Sequence, residues 1–328
     1  MKTKKTKLLL LVVALIMAFT LAACDSGNPP AENTSPPPTA TPDTPPTTTP
    51  DTTPPETTQP TDNGNGEETA NGSEEIDYDN LPPIIPAPPR PEYSDSDFDW
   101  LFLDFSHQGV TNERLAEMVS SGEIPAHTTG LSFLGNQISD LTPLSQLANL
   151  WIVSIPENQV SDLTPLMGLQ YLRQLDVRGN QISDITPLSG LTDLQILNLS
   201  DNDIRDITPL SGLTNLTKLE IDDNHITSIA ALRGMTNLET LNIRNNQFNN
   251  LTPLRNLTSL TNLTIGTLKQ ISGSNATEAD LDDIDLTPLH GLSKLESLSI
   301  FYVIRKADLD ALQHALPNTN ISNPWPNF

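Results

Sequence analysis

Asparagine recurs through the middle of this sequence at a constant interval of 22 residues. The six positions are Asn136, Asn158, Asn180, Asn202, Asn224 and Asn246. Each one closes a stretch that resembles L-x-x-L-x-L-x-x-N, most clearly from Leu194 through Leu197 and Leu199 to Asn202. An apolar residue follows two positions after every asparagine, and another follows three positions later. One apolar pattern repeated at a fixed period predicts a solenoid, in which each repeat packs against its neighbours.

Within a repeat, the pattern predicts a short strand followed by a turn. Because side chains alternate between the two faces of a strand, Leu197 and Leu199 point into the core. Ile196, Asn198 and Ser200 then point outward. The six recurring asparagines, which we name the asparagine ladder, lie where the chain leaves each strand. Carboxamides both donate and accept hydrogen bonds, so we expect the ladder to satisfy backbone groups inside the turns.

A threonine-proline pair marks the return segment of most repeats. Threonine is a helix-capping residue and proline suits the first helical position, so each pair predicts a short turn that threonine caps. An aspartate two residues earlier recurs in four repeats and is placed for side-chain-to-backbone bonds. Ala230-Ala231 interrupts the pattern, which predicts a less well capped turn in the fifth repeat. The pairs are Thr142-Pro143, Thr164-Pro165, Thr186-Pro187, Thr208-Pro209, Thr252-Pro253 and Thr287-Pro288.

These repeats resemble the 22-residue leucine-rich repeats of the internalin type, with their phrase N-x-I-S-D-[IL]-T-P-L. The resemblance covers roughly residues 128–302. It implies an α/β repeat fold, a right-handed leucine-rich-repeat solenoid with a parallel sheet on the concave face and short 3₁₀ turns behind it. It also suggests adhesion or host contact, although one fold of this kind serves many partners.

A solenoid needs a cap at each open end. Residues 94–127 are predicted to form the N-terminal cap, ahead of the repeats at 128–294. Within this cap, residues 111–121 predict an amphipathic helix with Thr111 as its N-cap. The apolar face of that helix is predicted at Leu115, Met118 and Val119.

The C-terminal cap is predicted over residues 295–328. It combines the last strand, around Leu298 and Ile300, with a helix from Asp308 to Leu316 and with Trp325. The apolar face of this helix is predicted at Leu309, Leu312 and Leu316.

The period breaks once, between Leu260 and Leu295. These two residues are 35 positions apart, 13 more than one repeat, and the extra chain defines an insertion at 269–285. Leu268 replaces the next ladder asparagine. Insertions into repeats map to surface loops, so this one is either a neutral insertion or a contact loop. Its acidic residues form either a solvated loop or a Ca²⁺ site, although they lack the spacing of a calcium loop: Asp280, Asp282, Asp283 and Asp285.

The first residues have the layout of a secretory signal. Four lysines precede an apolar run from Leu8 to Thr20, which is shorter than a membrane-spanning helix needs. The sequence Leu21-Ala22-Ala23-Cys24 resembles the bacterial lipobox, which implies cleavage after residue 23 and lipidation of Cys24. An uncleaved membrane anchor is the alternative for residues 1–23.

Residues 24–93 are rich in proline, threonine and acidic residues. Such a composition buries too little apolar surface to fold, which predicts a disordered tether. Proline-rich chain rises roughly 3.1 Å per residue, so about 70 residues reach on the order of 200 Å. We therefore expect a protein on the outer face of a Gram-positive membrane, spanning the cell wall. Docking sites for other domains and O-glycosylation of threonines are further possibilities for the tether.

Charge and composition exclude several classes of function. The formal charge is −24, and removal of residues 1–23 with their four lysines makes it −28, so binding to nucleic acid is not expected. The lone Cys24 forms no internal disulfide and no cysteine-rich zinc site. The five histidines lack metal-ligand spacing, and no catalytic motif stands out. We expect a monomer without enzymatic activity, cofactor or metal.

The outward strand positions are what a partner would meet. Within them the sequence predicts a central contact patch of mixed charge and an aromatic pair near the C-terminal end, although an ordinary solvated sheet face fits the same pattern. The leading hypothesis is a surface-tethered recognition protein that binds a protein or glycan through the concave face. The alternative is an envelope scaffold without an external ligand. The predicted contact residues are Arg178, Lys218, Glu220, Asp222, Arg244, Phe301 and Tyr302.

Overall fold

Each repeat contributes one short strand, and the strands align in chain order in one parallel sheet. The computed structural model describes residues 101–267 and 282–324. Each strand in them pairs with the next along the chain, so the 22-residue period in sequence becomes one strand spacing. The strands are β1 (Phe102–Asp104), β2 (Gly130–Ser132), β3 (Ile152–Ser154), β4 (Gln174–Asp176), β5 (Ile196–Asn198), β6 (Lys218–Glu220), β7 (Thr240–Asn242), β8 (Asn262–Gly266), β9 (Ser297–Phe301) and β10 (Asn320–Ser322).

Short 3₁₀ turns return the chain behind the sheet, and an α-helix lies near each end. The helices are α1 (Asn112–Ser120) and α2 (Lys306–Ala315). This order of parallel strands and 3₁₀ turns is the leucine-rich-repeat solenoid that the resemblance implies. The 3₁₀ turns are Thr142–Gln146, Thr164–Leu166, Thr186–Leu188, Thr208–Gly212, Ala230–Gly234, Thr252–Asn256 and Thr287–Leu289.

One continuous core runs between the sheet and the 3₁₀ turns. In the fourth repeat, Leu197 and Leu199 leave the sheet on its inner side and are fully buried. Leu210 of the 3₁₀ turn is buried against the same core, as are Leu213 and Leu216 on the way to the next strand. Each buried leucine contributes about 1.5–3 kcal/mol. The repeating apolar positions therefore hold adjacent strands in fixed register.

The prediction that threonine caps the 3₁₀ turns is wrong. The first helical hydrogen bond of the turn at Thr142 is accepted by the carbonyl of Leu141, which moves the cap one residue earlier and makes threonine the first helical residue. The side chain of Asp140 supplies the cap contact, because its Oδ1 accepts from the Thr142 N–H at 2.8 Å. Asp162, Asp184 and Asp206 do the same at 2.8 Å.

Two other repeats have a different residue in place of this aspartate. Asn250 accepts from the Thr252 N–H at 2.9 Å, so an asparagine replaces the aspartate without loss of the bond. In the fifth repeat, Ser228 accepts from the Ala230 N–H at 3.4 Å. The longer contact confirms the prediction of a weaker cap in that repeat.

The N-terminal cap contains the predicted helix and a strand that the sequence analysis missed. Thr111 Oγ1 accepts from the Arg114 N–H, and Leu115 and Met118 of α1 are buried. Strand β1 lies ahead of the helix and pairs with β2. The spacing between β1 and β2 is 28 residues, because α1 replaces the 3₁₀ turn, and this different spacing hides β1 from a search for the 22-residue period.

The C-terminal cap also has one more strand than predicted. Strand β9 was expected to be the last, but β10 follows α2 and pairs with β9 in parallel. Thr319 is buried and its Oγ1 donates to the Leu295 carbonyl at 2.7 Å, which fixes the start of β10. Because α2 replaces the 3₁₀ turn ahead of β10, the two strands are 23 residues apart and the 22-residue period does not mark β10.

Several predictions lie outside the described residues. These are the signal sequence at 1–23, lipidation of Cys24, the tether at 24–93, most of the insertion at 269–285, and Trp325. Among the described helices, none has the length and apolar character needed to cross a bilayer.

Candidate binding face

The asparagine ladder fixes the turn at the end of each strand. Asn202 shows the pattern: its Oδ1 accepts from the buried Ile182 N–H at 2.9 Å. Its Nδ2 donates at 3.1 Å to the carbonyls of Val177, Leu199 and Ser200. Each ladder residue thus joins its own turn to the preceding repeat. The same contacts recur at Asn136, Asn158, Asn180, Asn224 and Asn246.

The residue before each ladder asparagine adopts a left-handed backbone. Gly135 and Gly179 do so with φ of 64°. Asp201 and Asp223 do so with φ of 55° and 53° although they carry side chains. Aspartate tolerates this conformation better than most residues, because its short side chain hydrogen-bonds locally. This column of turns lies along one rim of the concave face and places acidic side chains there.

Outward side chains on the strands define the concave face, and several of them are fixed by neighbours. Arg178 lies 4.0 Å from the Asp176 carboxylate, and both are largely covered. Lys218 Nζ lies 3.1 Å from Glu220, whose second oxygen accepts from Asn198 Nδ2 at 2.9 Å. These contacts run along and across β4, β5 and β6. The predicted residues Arg178, Lys218 and Glu220 therefore lie on one polar surface.

Burial raises the pKa of two carboxylates on this surface. Desolvation raises the pKa of Asp176 above its ordinary value, and nearby Arg178 opposes this only in part. Desolvation also raises the pKa of Asp222, against a hydrogen bond that Ser200 Oγ donates to it, and the neighbouring Asp223 adds to the rise. Both carboxylates are therefore less well stabilised as anions than in water.

Arg244 is held between an acid and an aromatic ring. Its Nη2 lies 3.3 Å from Asp223, and its guanidinium lies 5.3 Å from the centroid of Phe301. Phe301 is two strands away, and Gly266 stands at the same register between them. With no side chain at Gly266, the space above β8 stays open for this contact. Arginine and aromatic side chains carry much of the energy at protein interfaces, and here one of each is held in place on the outward face of the sheet.

Tyr302 does not lie on the concave face, contrary to prediction. It follows β9 and is 4% exposed, with its ring beside a cavity of about 270 Å³ that Phe248 and Ile284 also line. Burial, with a smaller contribution from Asp282, raises the pKa of Tyr302 to about 12. The alternation that turns Phe301 outward ends with the strand, so adjacency in sequence did not place the two aromatic residues together.

The N-terminal part of the concave face is apolar, and the sequence analysis left this out of the contact patch. Phe102 of β1 is 46% exposed and its ring lies over Gly130. Ile152 and Ile196 occupy the same register on β3 and β5 and are partly exposed. Phe102 was missed because β1 was missed.

An aromatic contact flanks this apolar region. The Arg173 guanidinium lies 4.6 Å from the centroid of the Trp151 ring. Trp151 immediately precedes β3, and both residues were outside the predicted patch. Arg173 lies one 22-residue repeat after Trp151, and this spacing is the sequence signal that places the two side chains next to each other.

The described residues contain no group of three or more His, Cys, Asp or Glu side chains placed to hold a metal ion. Four acidic residues of the concave face are instead bonded to serine, asparagine, lysine or arginine neighbours: Asp176, Glu220, Asp222 and Asp223. This arrangement is that of a protein surface stabilised by lateral contacts.

These features define a leucine-rich-repeat protein. The family model described as Leucine Rich repeats (2 copies) matches residues 170–212 and 192–234. Proteins with such repeats are in general binding scaffolds without enzymatic activity. No curated protein matches the chain in sequence.

Among solved structures, the chain is similar to internalins of Listeria monocytogenes. Internalin C2 is 33% identical over 58% of this chain and 76% of its own, with a TM-score of 0.49. An internalin F is 28% identical over 62% of this chain and 76% of its own, with a TM-score of 0.39. A leucine-rich-repeat protein of Leptospira interrogans is 19% identical over 67% of this chain and 59% of its own, with a TM-score of 0.52, and shares the fold.

Proposed function

We propose that this protein is a non-enzymatic recognition protein of the internalin type, which binds a protein ligand through the concave face. The observation that carries the proposal is the lateral fixing of outward side chains, above all Arg244 between Asp223 and Phe301. A side chain already held in place loses little conformational entropy when a partner binds. Adhesion to another cell or surface is the role we favour for such binding.

The parallel sheet supplies the rest of the support. Its outward positions form a continuous surface over ten strands of the described residues, with both apolar and charged regions. The asparagine ladder satisfies backbone groups within the turns, so the surface is stiff without any partner. Extended, rigid surfaces of this kind are the ones that repeat proteins use for binding. The binding test described below distinguishes a glycan ligand from a protein ligand.

We also propose that Cys24 carries a lipid anchor and that residues 24–93 tether the solenoid at the outer face of the membrane. The support is the sequence alone, in the signal-like residues 1–23 and the sole cysteine at their end. Two acyl chains give a stable anchor, whereas one binds only marginally. Labelling of cells with an alkyne-bearing fatty acid tests this. The parent protein should take up label and stay with the cells, whereas Cys24→Ala should do neither; equal labelling would contradict the anchor.

Retention of ligands by the immobilised full chain tests the binding function. The panel contains wall polymers, glycans and surface proteins. Steric block of the concave face with Thr240→Trp and Thr264→Trp is compared with Thr192→Trp and Thr214→Trp, a matched pair on the exposed return segments. We expect saturable retention of a protein, weakened about tenfold or more by the concave pair and unchanged by the other. No saturable ligand, or equal effects of both pairs, would contradict the proposal.

A further inference from the structure

The charges of the concave face indicate what kind of partner fits it, an inference that rests on the binding function proposed above. The strands and the turn that follows each of them place three cationic side chains on this face or its rim. Each has an acidic neighbour in the same chain: Arg178 with Asp176, Lys218 with Glu220, and Arg244 with Asp223. Each of these cations is thus already partly neutralised by an acid of its own chain.

The carboxylates, in contrast, exceed the cations. None of four further acids on the face or its rim lies within 4.0 Å of a lysine or arginine among the described residues. Asp222 has no ion pair in the part of the chain that the structure describes, but it accepts a hydrogen bond from the hydroxyl of Ser200. Desolvation raises the pKa of both Asp176 and Asp222. A cation supplied by a partner would lower both pKa values again, because it stabilises the ionised carboxylate. The four acids are Asp104, Glu157, Asp201 and Asp222.

The acidic side chains of the face, paired and unpaired together, are densest around its middle strands. Asp176, Asp201, Glu220 and Asp222 lie together around β4, β5 and β6. The first strands carry fewer acids, Asp104 and Glu157, and present the apolar Phe102 and Ile152, of which Phe102 is 46% exposed. An apolar region thus adjoins an acidic one along the same sheet. A partner that covers both must present apolar and cationic side chains side by side.

We propose that the concave face binds a protein with a basic surface, whose lysine or arginine side chains meet the acids around β4 to β6. An adjoining apolar patch of that protein packs on Phe102 and Ile152. Charge complementarity of this kind selects partners and speeds association more than it adds affinity. An acidic protein or an anionic wall polymer is excluded from the face by the same charges.

Repeat-to-repeat variation supplies matched substitutions for the test. Asp176→Asn places at β4 the residue that Asn198 and Asn242 already provide on β5 and β7. Asp201→Asn copies Asn245, which has the same left-handed backbone. With Asp222→Asn, these form the concave triple. The control triple replaces three acids that lie two residues before the 3₁₀ turns and keeps their cap bonds, as Asn250 does: Asp162→Asn, Asp184→Asn and Asp206→Asn.

The probe is a hexalysine peptide, titrated into the ¹⁵N-labelled full chain in zwitterionic micelles and followed by amide chemical shifts. Residue-resolved shifts separate the concave face from other acidic segments. We expect saturable shifts along β4 to β6, a dissociation constant about tenfold weaker in the concave triple, and a change of less than about twofold in the control triple. Hexaglutamate should leave these residues unchanged.

Equal weakening by the two triples would overturn the inference, because the peptide would then sense only the general acidity of the chain. Binding of hexaglutamate to the same strands would overturn it as well. The ligand panel keeps this result apart from the proposed function. A protein captured there through the concave face, yet not displaced by hexalysine, would leave the binding function standing and remove the basic partner. Hexalysine binding without any captured protein would support the preference for basic ligands and contradict the proposed binding function.

Discussion

Replacement of Asn202 by alanine tests whether the asparagine ladder holds the solenoid together. The amide of Asn202 makes four contacts, but three of the groups it bonds have a second partner. The carbonyls of Val177 and Leu199 also accept from ladder residues, and that of Ser200 accepts from a backbone N–H. The buried Ile182 N–H keeps no other bond among the described contacts. An unsatisfied buried donor costs about 1–3 kcal/mol, and three weakened carbonyl contacts bring the expected loss to about 3 kcal/mol or more.

Asn215 supplies the matched control. It is exposed and donates a single hydrogen bond to the Thr192 carbonyl at 2.9 Å, so Asn215→Ala should cost less than about 1 kcal/mol. Urea unfolding followed by far-ultraviolet circular dichroism measures both free energies, and the slope m checks that the transition stays cooperative. If Asn202→Ala and Asn215→Ala lose the same small amount, the ladder amides do not carry the role assigned to them.

Three further substitutions, two of them with a control substitution, probe other parts of the account by the same unfolding assay. Asp184→Ala should cost about 1 kcal/mol through loss of its cap bond, whereas Asp184→Asn should be neutral; equal losses would show that the bond is irrelevant. Burial raises the pKa of Asp176, so the folded state binds this proton more tightly, and stability is lost as the pH rises from the ordinary value of 3.8 through the folded pKa. Asp176→Asn should therefore stabilise the protein at neutral pH, with a gain that disappears near about pH 3; a gain independent of pH would contradict this sign. Gly266→Ala should cost about 2 kcal/mol or more, because φ is 119° and a Cβ would lie 2.5 Å from the Phe301 backbone. Gly212→Ala, with nothing within 4 Å of its Cβ, should stay within about 0.5 kcal/mol of the parent.

The period in the sequence predicts the repeats in detail but not the ends. A ladder residue such as Asn202 could be located because every repeat must place the same group at the same turn to pair with its neighbour. Strands β1 and β10 lie outside the 22-residue spacing, since α1 and α2 replace the 3₁₀ turn beside each. The hydrogen bond from the turn to aspartate was predicted correctly. Threonine was wrongly predicted to be the cap residue, because the sequence does not locate the start of a 3₁₀ turn to within one residue.

Prediction of the candidate face was less complete for a related reason. Strand alternation correctly turns Arg178, Lys218 and Arg244 outward, but it does not say which acids they contact. Arg244 contacts Phe301, two strands away, across the intervening Gly266, and the burial of Tyr302 depends on where β9 ends. Side-chain pairing across repeats is a property of the stacked structure, which a single repeat does not contain.

Photo-crosslinking tests the central claim, that the concave face is the binding surface, most directly. A photoreactive amino acid is placed in the full chain at Asn262, exposed on β8, or at Ser189, exposed at the end of a 3₁₀ turn. Each variant is exposed in turn to the surface proteins of the ligand panel. The account predicts a crosslinked partner from Asn262 whose yield saturates with partner concentration, and none from Ser189. A partner crosslinked equally from both positions, or from Ser189 alone, would contradict it.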